Sequence, residues 1–149
     1  MGARLGVAFA VCVGLLWACA DFSSPEDPAF GLPDVEVANP SFSRDVQPIL
    51  SKRCAVGGCH TFASAQVGLV LEPSASYDAL VNKPAVTSSV GRLLLVRPGS
   101  AAQSWLVRRI EADSLARENL PRMPLATTPL TDRQIATIVN WINSGALKN

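Results

Sequence analysis

The chain has 149 residues, which is about the length of one domain, and its formal net charge at pH 7 is +1. The charged residues form no basic patch and no charge run, so a nucleic acid is not an expected partner. Once the first 18 residues are set aside, the apolar fraction is ordinary for a globular protein.

The first 18 residues are predicted to be a signal peptide. Arg4 provides a short positive region, and residues 5–17 are an uninterrupted apolar run. Such a run is about as long as a signal-peptide core and is shorter than the roughly 20 residues that span a bilayer. The protein is therefore expected to be exported to the periplasmic face of a bacterial membrane.

Two processing sites fit the end of this segment. Residues 16–19 resemble a bacterial lipobox, in which Cys19 would carry the lipid and anchor the protein to a membrane. Ala20 in the next position favours, by resemblance to known sorting, the outer over the inner membrane. Cleavage after Ala20 also fits, and it would release a soluble periplasmic protein. Residues 19–41 are rich in Pro, Ser and acidic residues and are predicted to be a flexible, solvated linker.

The first predicted helix starts near Asp45, with Ser43 or Asp45 as its cap, and ends at Cys54. Its apolar face has the helical spacing i, i+3, i+4 at Val46, Ile49 and Leu50. A brief helix capped by Ser74 or Ser76 follows. An extended segment is predicted over 93–96, a helix over 100–111 and a proline-containing loop over 115–129.

The last predicted helix has the strongest signals. Thr131 and Gln134 form a capping box, and Gly145 is typical of a left-handed helix end. Between them the apolar residues keep a helical spacing. Because alternation of the kind found in strands is nearly absent, residues 42–149 are predicted to be one mostly α-helical domain.

The chemistry of the chain is concentrated in Cys54, Cys59 and His60, the only histidine. Export would leave these two cysteines alone in the folded domain. In an oxidising compartment they are expected to pair, unless another reaction consumes both thiols. Covalent haem attachment does so, because each thiol adds to a vinyl group and the following histidine binds the iron. The usual spacing is two residues between the cysteines, whereas here there are four.

A six-coordinate haem iron needs a second axial ligand. Once Met1 is removed with the signal, Met123 is the only thioether left in the chain. It lies between prolines, and His/Met ligation favours Fe(II) and raises the reduction potential. Arg122, beside it, is a candidate partner for a haem propionate.

The chain resembles bacterial c-type cytochrome domains of the small, class I-like kind over residues 42–149. Besides the cysteines and the histidine, the matching segments are FSRDVQPIL (42–50), RPG (97–99), SWL (104–106), MP (123–124), LT (130–131) and IVNWINSGA (138–146). The resemblance implies one covalent haem c packed between crossing N-terminal and C-terminal helices and the loop of Met123, with Trp141 at the crossing or at the haem edge. The C-x4-C-H spacing looks like a minority variant. Its extra residues are expected to loop outward, helped by positive φ angles at Gly57 and Gly58.

The function expected from this resemblance is single-electron transfer to a redox partner protein that the sequence does not identify, without enzymatic activity. The alternative is a haem-free exported lipoprotein, in which a Cys54–Cys59 disulfide stabilises a binding or envelope-interaction module. A structural zinc site is disfavoured, because Cys54, Cys59 and His60 supply three ligands where four are usual.

Overall fold

The computed structural model describes residues 26–27, 31–86, 93–111, 121–125 and 127–149. Four α-helices are found in these ranges: α1 (Gln47–Arg53), α2 (Ser76–Leu80), α3 (Trp105–Glu111) and α4 (Asp132–Asn143). A π-helical turn (Phe42–Val46) leads into α1, and 3-10 turns cover Gln66–Gly68 and Ala101–Gln103. Two short strands, β1 (Glu26–Asp27) and β2 (Leu32–Pro33), pair antiparallel. The described part is helix-rich with little strand, as predicted.

The signal peptide, the lipobox and Cys19 lie outside the described residues. Within the described ranges, none of the helices combines the length and the hydropathy needed to cross a bilayer.

The first helical segment begins earlier than predicted. The cap is Ser41, whose side chain accepts a hydrogen bond from the backbone of Arg44, and not Ser43 or Asp45. Asp45 contributes in a different way, because its carboxylate accepts the backbone N–H of Ser41 at 2.7 Å. The reciprocal pair satisfies two donors at the helix start. Pro48 lies in the first turn of α1, where its missing N–H costs little.

Three aromatic rings join the two ends of the domain. Phe42 packs against Trp141 with ring centroids 5.0 Å apart, and against Tyr77 at 5.2 Å. The Trp141 indole N–H donates to the carbonyl of Leu147 at 2.9 Å, so its polar atom is satisfied although the ring is buried. The helical turn before α1 therefore contacts α4, and Trp141 lies at this contact.

The predicted helix over 100–111 is interrupted. Ser104 has extended backbone angles and separates the 3-10 turn from α3. Its hydroxyl is buried and donates to the carbonyl of Ser100 at 2.8 Å, while accepting the N–H of Arg97 at 2.9 Å. Bridges from Leu94 to Pro84 and Ser104 confirm the extended segment over 93–96. Ser76 also differs from its predicted role as a cap: it is buried, and its hydroxyl donates to the side chain of Gln47.

The last helix follows its prediction closely. Thr131 and Gln134 form the reciprocal capping box, and Gly145 ends the helix with φ +104°. Along α4 the buried residues are Gln134, Ile135, Thr137, Ile138, Trp141 and Ile142. This face lies in the continuous apolar cluster that also contains the inner faces of α1 and α3.

The linker predicted over 19–41 does not remain solvated to its end. The backbone N–H of Val37 donates to the hydroxyl of Thr137 at 3.0 Å, and its carbonyl accepts from the side chain of Asn140 at 3.1 Å. Asp34 accepts a hydrogen bond of 2.6 Å from Thr131 at the start of the helix. Residues 34–37 therefore lie along α4 as part of the folded domain.

Candidate functional site

Cys54 stands at the end of α1, where the helix joins the apolar cluster. Its N–H continues the helix by donating to Leu50 at 2.9 Å, and its side chain is 9% exposed. Burial raises the pKa of the Cys54 thiol to about 12, and the Arg53 guanidinium and the Cys59 thiol have smaller, opposing effects. The thiol is therefore neutral at physiological pH. Cys54 and Cys59 are both free in this structure.

The four residues between the cysteines form an outward loop. The N–H of Cys59 donates to Val56 at 2.9 Å, and the N–H of His60 returns to the carbonyl of Cys54 at 3.2 Å. Gly57 and Gly58 are exposed at the tip, and only Gly58 has a positive φ, +82°. The loop thus absorbs the extra residues and returns the backbone of His60 to that of Cys54 at the end of α1.

His60 is oriented by hydrogen bonds on both its ring and its backbone. Its Nδ1 lies 3.2 Å from the carbonyl oxygen of Leu69, and its own carbonyl accepts the N–H of Leu71 at 2.8 Å. A carbonyl only accepts, so this contact places the proton on Nδ1 and leaves the lone pair of Nε2 for a metal. In metal-binding histidines, the ring nitrogen that does not bind the metal usually donates its N–H to an oxygen such as a backbone carbonyl.

The segment after His60 holds apolar side chains in solvent. Phe62 is 61% exposed and Val67 is 70% exposed. Val67 also has a φ of +54°, which is an uncommon and costly conformation for a β-branched residue. On the loop of Met123, Leu125 is likewise exposed. Val86 and Leu147, away from these two loops in the sequence, are exposed to a similar degree.

Met123 lies on a separate loop that is fastened to α3. Its N–H donates to the carbonyl of Arg109 at 2.8 Å, and the preceding Arg122 donates through Nε to the carbonyl of Ile110 at 2.6 Å. The Met123 side chain is half-buried. This anchoring places the thioether at a defined position beside the end of α3.

Arg53 connects the cysteine motif with the loop that follows Met123. It lies next to Cys54, is buried, and donates from its guanidinium to the carbonyls of Thr128 and Pro129, the latter at 3.0 Å. The link between Met123 and the motif is thus indirect, through residues five and six positions after the methionine.

Arg53 and Arg109 were not expected from the sequence to belong to this region. Both are arginines on the inner face of a helix: Arg53 follows Ile49 by four positions, and Arg109 follows Trp105 by four. Charged side chains are almost never fully buried unless they are paired. An arginine on the apolar face of a predicted helix is therefore the sequence feature that could have identified these two residues.

Two clefts lie away from the motif, along α4. One has a volume of about 350 Å³ and is lined by residues including Val107 and Asn143. The other, of about 430 Å³, is lined by residues including Arg122, Asp132 and Ile135. Neither is lined by Cys54, Cys59, His60 or Met123. Among the described residues, no three His, Cys, Asp or Glu side chains are grouped so as to hold a metal ion.

No protein-family model, curated protein or solved structure matches this chain.

Proposed function

We propose that residues 42–149 form a monohaem c-type cytochrome domain that carries single electrons. In this proposal Cys54 and Cys59 would hold haem c through thioether bonds, and His60 and Met123 would bind its iron. The protein catalyses no bond chemistry, so it is a carrier and not an enzyme.

The observation that carries the proposal is the arrangement of His60 beside two free cysteines. The contact of Nδ1 with Leu69 leaves Nε2 as the metal-binding nitrogen. The loop between the cysteines ends with His60 hydrogen-bonded back to Cys54. A thiol pair and an oriented imidazole on one short loop are the donor set of covalent haem attachment.

The surroundings of the motif support the same function. Phe62 and Val67 on the segment after His60, and Leu125 on the loop of Met123, are exposed apolar residues, and covering such side chains with a porphyrin would contribute about 25 cal/mol per Å² of apolar surface removed from water. Arg53 holds the residues that follow the Met123 loop, and the backbone of Met123 is held by Arg109. The bound group supplies an iron that gains and loses one electron, and a His/Met ligand pair raises its potential.

The setting of this carrier follows from the sequence. We propose export and anchoring through a lipid on Cys19, on the periplasmic face of a membrane. The rest of the chain carries 12 basic and 12 acidic residues after the single arginine of the signal. A neutral chain of this kind suits a redox partner that docks without strong charge attraction.

The decisive experiment is expression of the full chain in a bacterial host with haem-attachment machinery. The expected product carries one covalent haem by mass and by its pyridine haemochrome spectrum, and Cys59→Ala lowers the covalent yield. A colourless product with a Cys54–Cys59 disulfide contradicts the proposal and supports the haem-free binding module instead.

The ligand assignment is tested separately on the haem-loaded protein. Met123→Ala is expected to change the iron absorption spectrum and lower the midpoint potential, because a soft ligand that favours Fe(II) is lost. Leu125→Ala, an apolar truncation on the same loop, is the matched control and should leave the spectrum unchanged. If Met123→Ala also leaves it unchanged, Met123 is not the ligand.

A further inference from the structure

Arg109 is a buried cation without an acidic partner among the described residues. Its side chain is 7% exposed, and its Nη1 is buried with no hydrogen-bond partner. The ion pairs found in the described ranges join Arg44 to Asp45, Arg133 to Asp34 and Lys148 to Asp78. A buried donor of a charged group is costly to leave without a partner, so an anion bound at Nη1 would stabilise this arrangement.

The Arg109 side chain lies over an aromatic ring. Its guanidinium carbon lies 5.9 Å from the centre of the Trp105 ring, one helical turn earlier on α3. Trp105 is 5% exposed, yet it lies outside the continuous apolar cluster of the described residues. Burial lowers the pKa of Arg109, as expected for a cation removed from water without compensation. Arg109 thus combines a cation–π contact with one buried donor that has no partner.

The site adjoins the proposed ligand loop. The carbonyl of Arg109 accepts the N–H of Met123 at 2.8 Å, so the two residues are in direct backbone contact. Arg122, the propionate partner considered from the sequence, has its Nε engaged with the carbonyl of Ile110. Of the two arginines beside Met123, Arg109 is the one with a buried donor left over.

We infer that Arg109 holds a propionate carboxylate of the haem through its Nη1, and this inference rests on the proposed function. A haem carries two carboxylates on one edge, and a guanidinium binds a carboxylate with two parallel donors. The ion pair satisfies the orphaned donor and neutralises the buried charge. It also keeps the propionate ionised, because an adjacent cation favours the charged form of an acid.

Removing the positive charge of Arg109 should therefore allow the haem propionate to titrate in the accessible pH range. In Arg109→Met the propionate loses its cation inside a poorly solvated site, and its pKa rises. Proton uptake then becomes coupled to reduction of the iron, and the midpoint potential acquires a pH dependence over about pH 5 to 8. The potential also falls at neutral pH, because a positive charge that favoured the reduced iron has been lost.

The test compares haem-loaded full-length variants by redox titration across this pH range. Arg108→Met is the matched control, because Arg108 is the half-buried neighbour whose Nη2 donates to Ala102 at 3.3 Å. Glu111→Gln, in a second control, removes the exposed carboxyl of the same helix. The remaining charged groups of neighbouring elements, Arg122 on the loop and Asp132 on α4, are unchanged throughout.

The expected result is a pH-dependent, lowered potential in Arg109→Met alone, and a return to the wild-type profile in Arg109→Lys, which restores a cation. A purely structural role for Arg109 does not produce this rescue. If Arg109→Met keeps the profile of Arg108→Met, the inference is overturned while the cytochrome assignment survives. A wild-type protein without covalent haem overturns both.

A second measurement does not depend on the folding of Arg109→Met. In the reduced, diamagnetic wild-type protein, NMR should show cross-peaks between the Arg109 side chain and the propionate methylene protons, and these should disappear in Arg109→Lys. Their absence in the wild type contradicts the inference.

Discussion

Cys54 combines a reactive group with a site that suppresses its reactivity. The thiol is buried at the end of α1, and its pKa is raised to about 12 because the thiolate would be poorly solvated there. Cys59 is half-buried on the exposed loop. Because the thiolate is the nucleophilic form, the two cysteines should differ in reactivity once the chain has folded. Attachment at Cys54 is therefore expected to precede closure of the core around it.

The raised pKa of Cys54 predicts a loss of stability at alkaline pH in the haem-free chain. An unfolded cysteine ionises near pH 8.5, whereas the folded one keeps its proton to about 12, so the unfolded state binds fewer protons in this window. The stability contributed by this group is complete below the unfolded pKa. It falls as the pH rises, by up to about 1.4 kcal/mol per pH unit.

Urea unfolding of the haem-free chain between pH 7 and 11 measures this effect. Cys54→Ala should remove the Cys54 component of the alkaline slope, whereas Cys59→Ala should retain it. Equal slopes in the wild type and in Cys54→Ala contradict the prediction. In the haem-loaded protein the component is absent, because a thioether has no proton to lose.

The two loop glycines make a matched pair of substitutions. Gly58 has a φ of +82°, so Gly58→Ala should cost about 1 kcal/mol of stability through backbone strain. Gly57 has no such angle and open space at its Cβ position, so Gly57→Ala should be neutral or slightly stabilising. Thermal unfolding and covalent haem yield are the measurements. Similar losses in both variants would contradict the left-handed conformation of Gly58 as the cause of the loss.

The helices of the described residues are short, so the residues at their ends largely determine where each helix begins and ends. α1 ends at Cys54, α3 ends near the anchor of Met123, and α4 has 12 residues with a reciprocal capping box. Short helices are marginal in isolation and depend on packing of the apolar face. The aromatic contact of Phe42 with Trp141 contributes to this packing by joining the turn before α1 to α4.

The capping box of α4 should contribute measurably to stability. Thr131→Ala removes an acceptor for the backbone of Gln134 and the hydrogen bond to Asp34, and a loss of about 1 kcal/mol is expected. Thr131→Ser keeps the hydroxyl and should lose much less. Thr127→Ala, at an exposed threonine, is the neutral control. Equal stability of Thr131→Ala and Thr127→Ala in urea would contradict the assignment.

The folded domain as a whole extends beyond the predicted boundary at residue 42. Residues 34–37 are hydrogen-bonded along α4, and the N–H of Phe42 donates to the side chain of Asn149 at 2.8 Å. Residues 34–37 are therefore held by α4, and Phe42 is held by Asn149. The hydrogen bonds of residues 34–37 are made to α4, and the apolar residues on the inner face of α4 belong to the same cluster as Cys54.

Loss of the Thr137 hydroxyl should release the segment over 34–37. Thr137→Val leaves the N–H of Val37 without its acceptor, at a cost of about 1–3 kcal/mol, whereas Thr137→Ser retains the acceptor. Hydrogen exchange should rise in residues 34–38 of Thr137→Val before it rises in α4. Unchanged exchange in this segment would show that the contacts of Asn140 and Asp34 suffice.

The sequence by itself determined the features that depend on local pattern. These are the cysteine–histidine motif, the helix over 132–143 with its cap and its glycine end, the extended segment over 93–96 and the helix-rich class. Each follows from the spacing or the backbone preference of residues that are neighbours in the chain. The haem assignment also came from the motif and the resemblance, and it remains a proposal.

Only the tertiary structure decided the contacts that join distant parts of the chain. It placed residues 34–37 on α4, interrupted the helix at Ser104, tied Arg53 to residues 128–129 and buried Arg109 with an unused donor. Each of these outcomes depends on which group pairs with a given polar atom. When the two groups are up to about a hundred positions apart, no periodic pattern in the sequence indicates the pair.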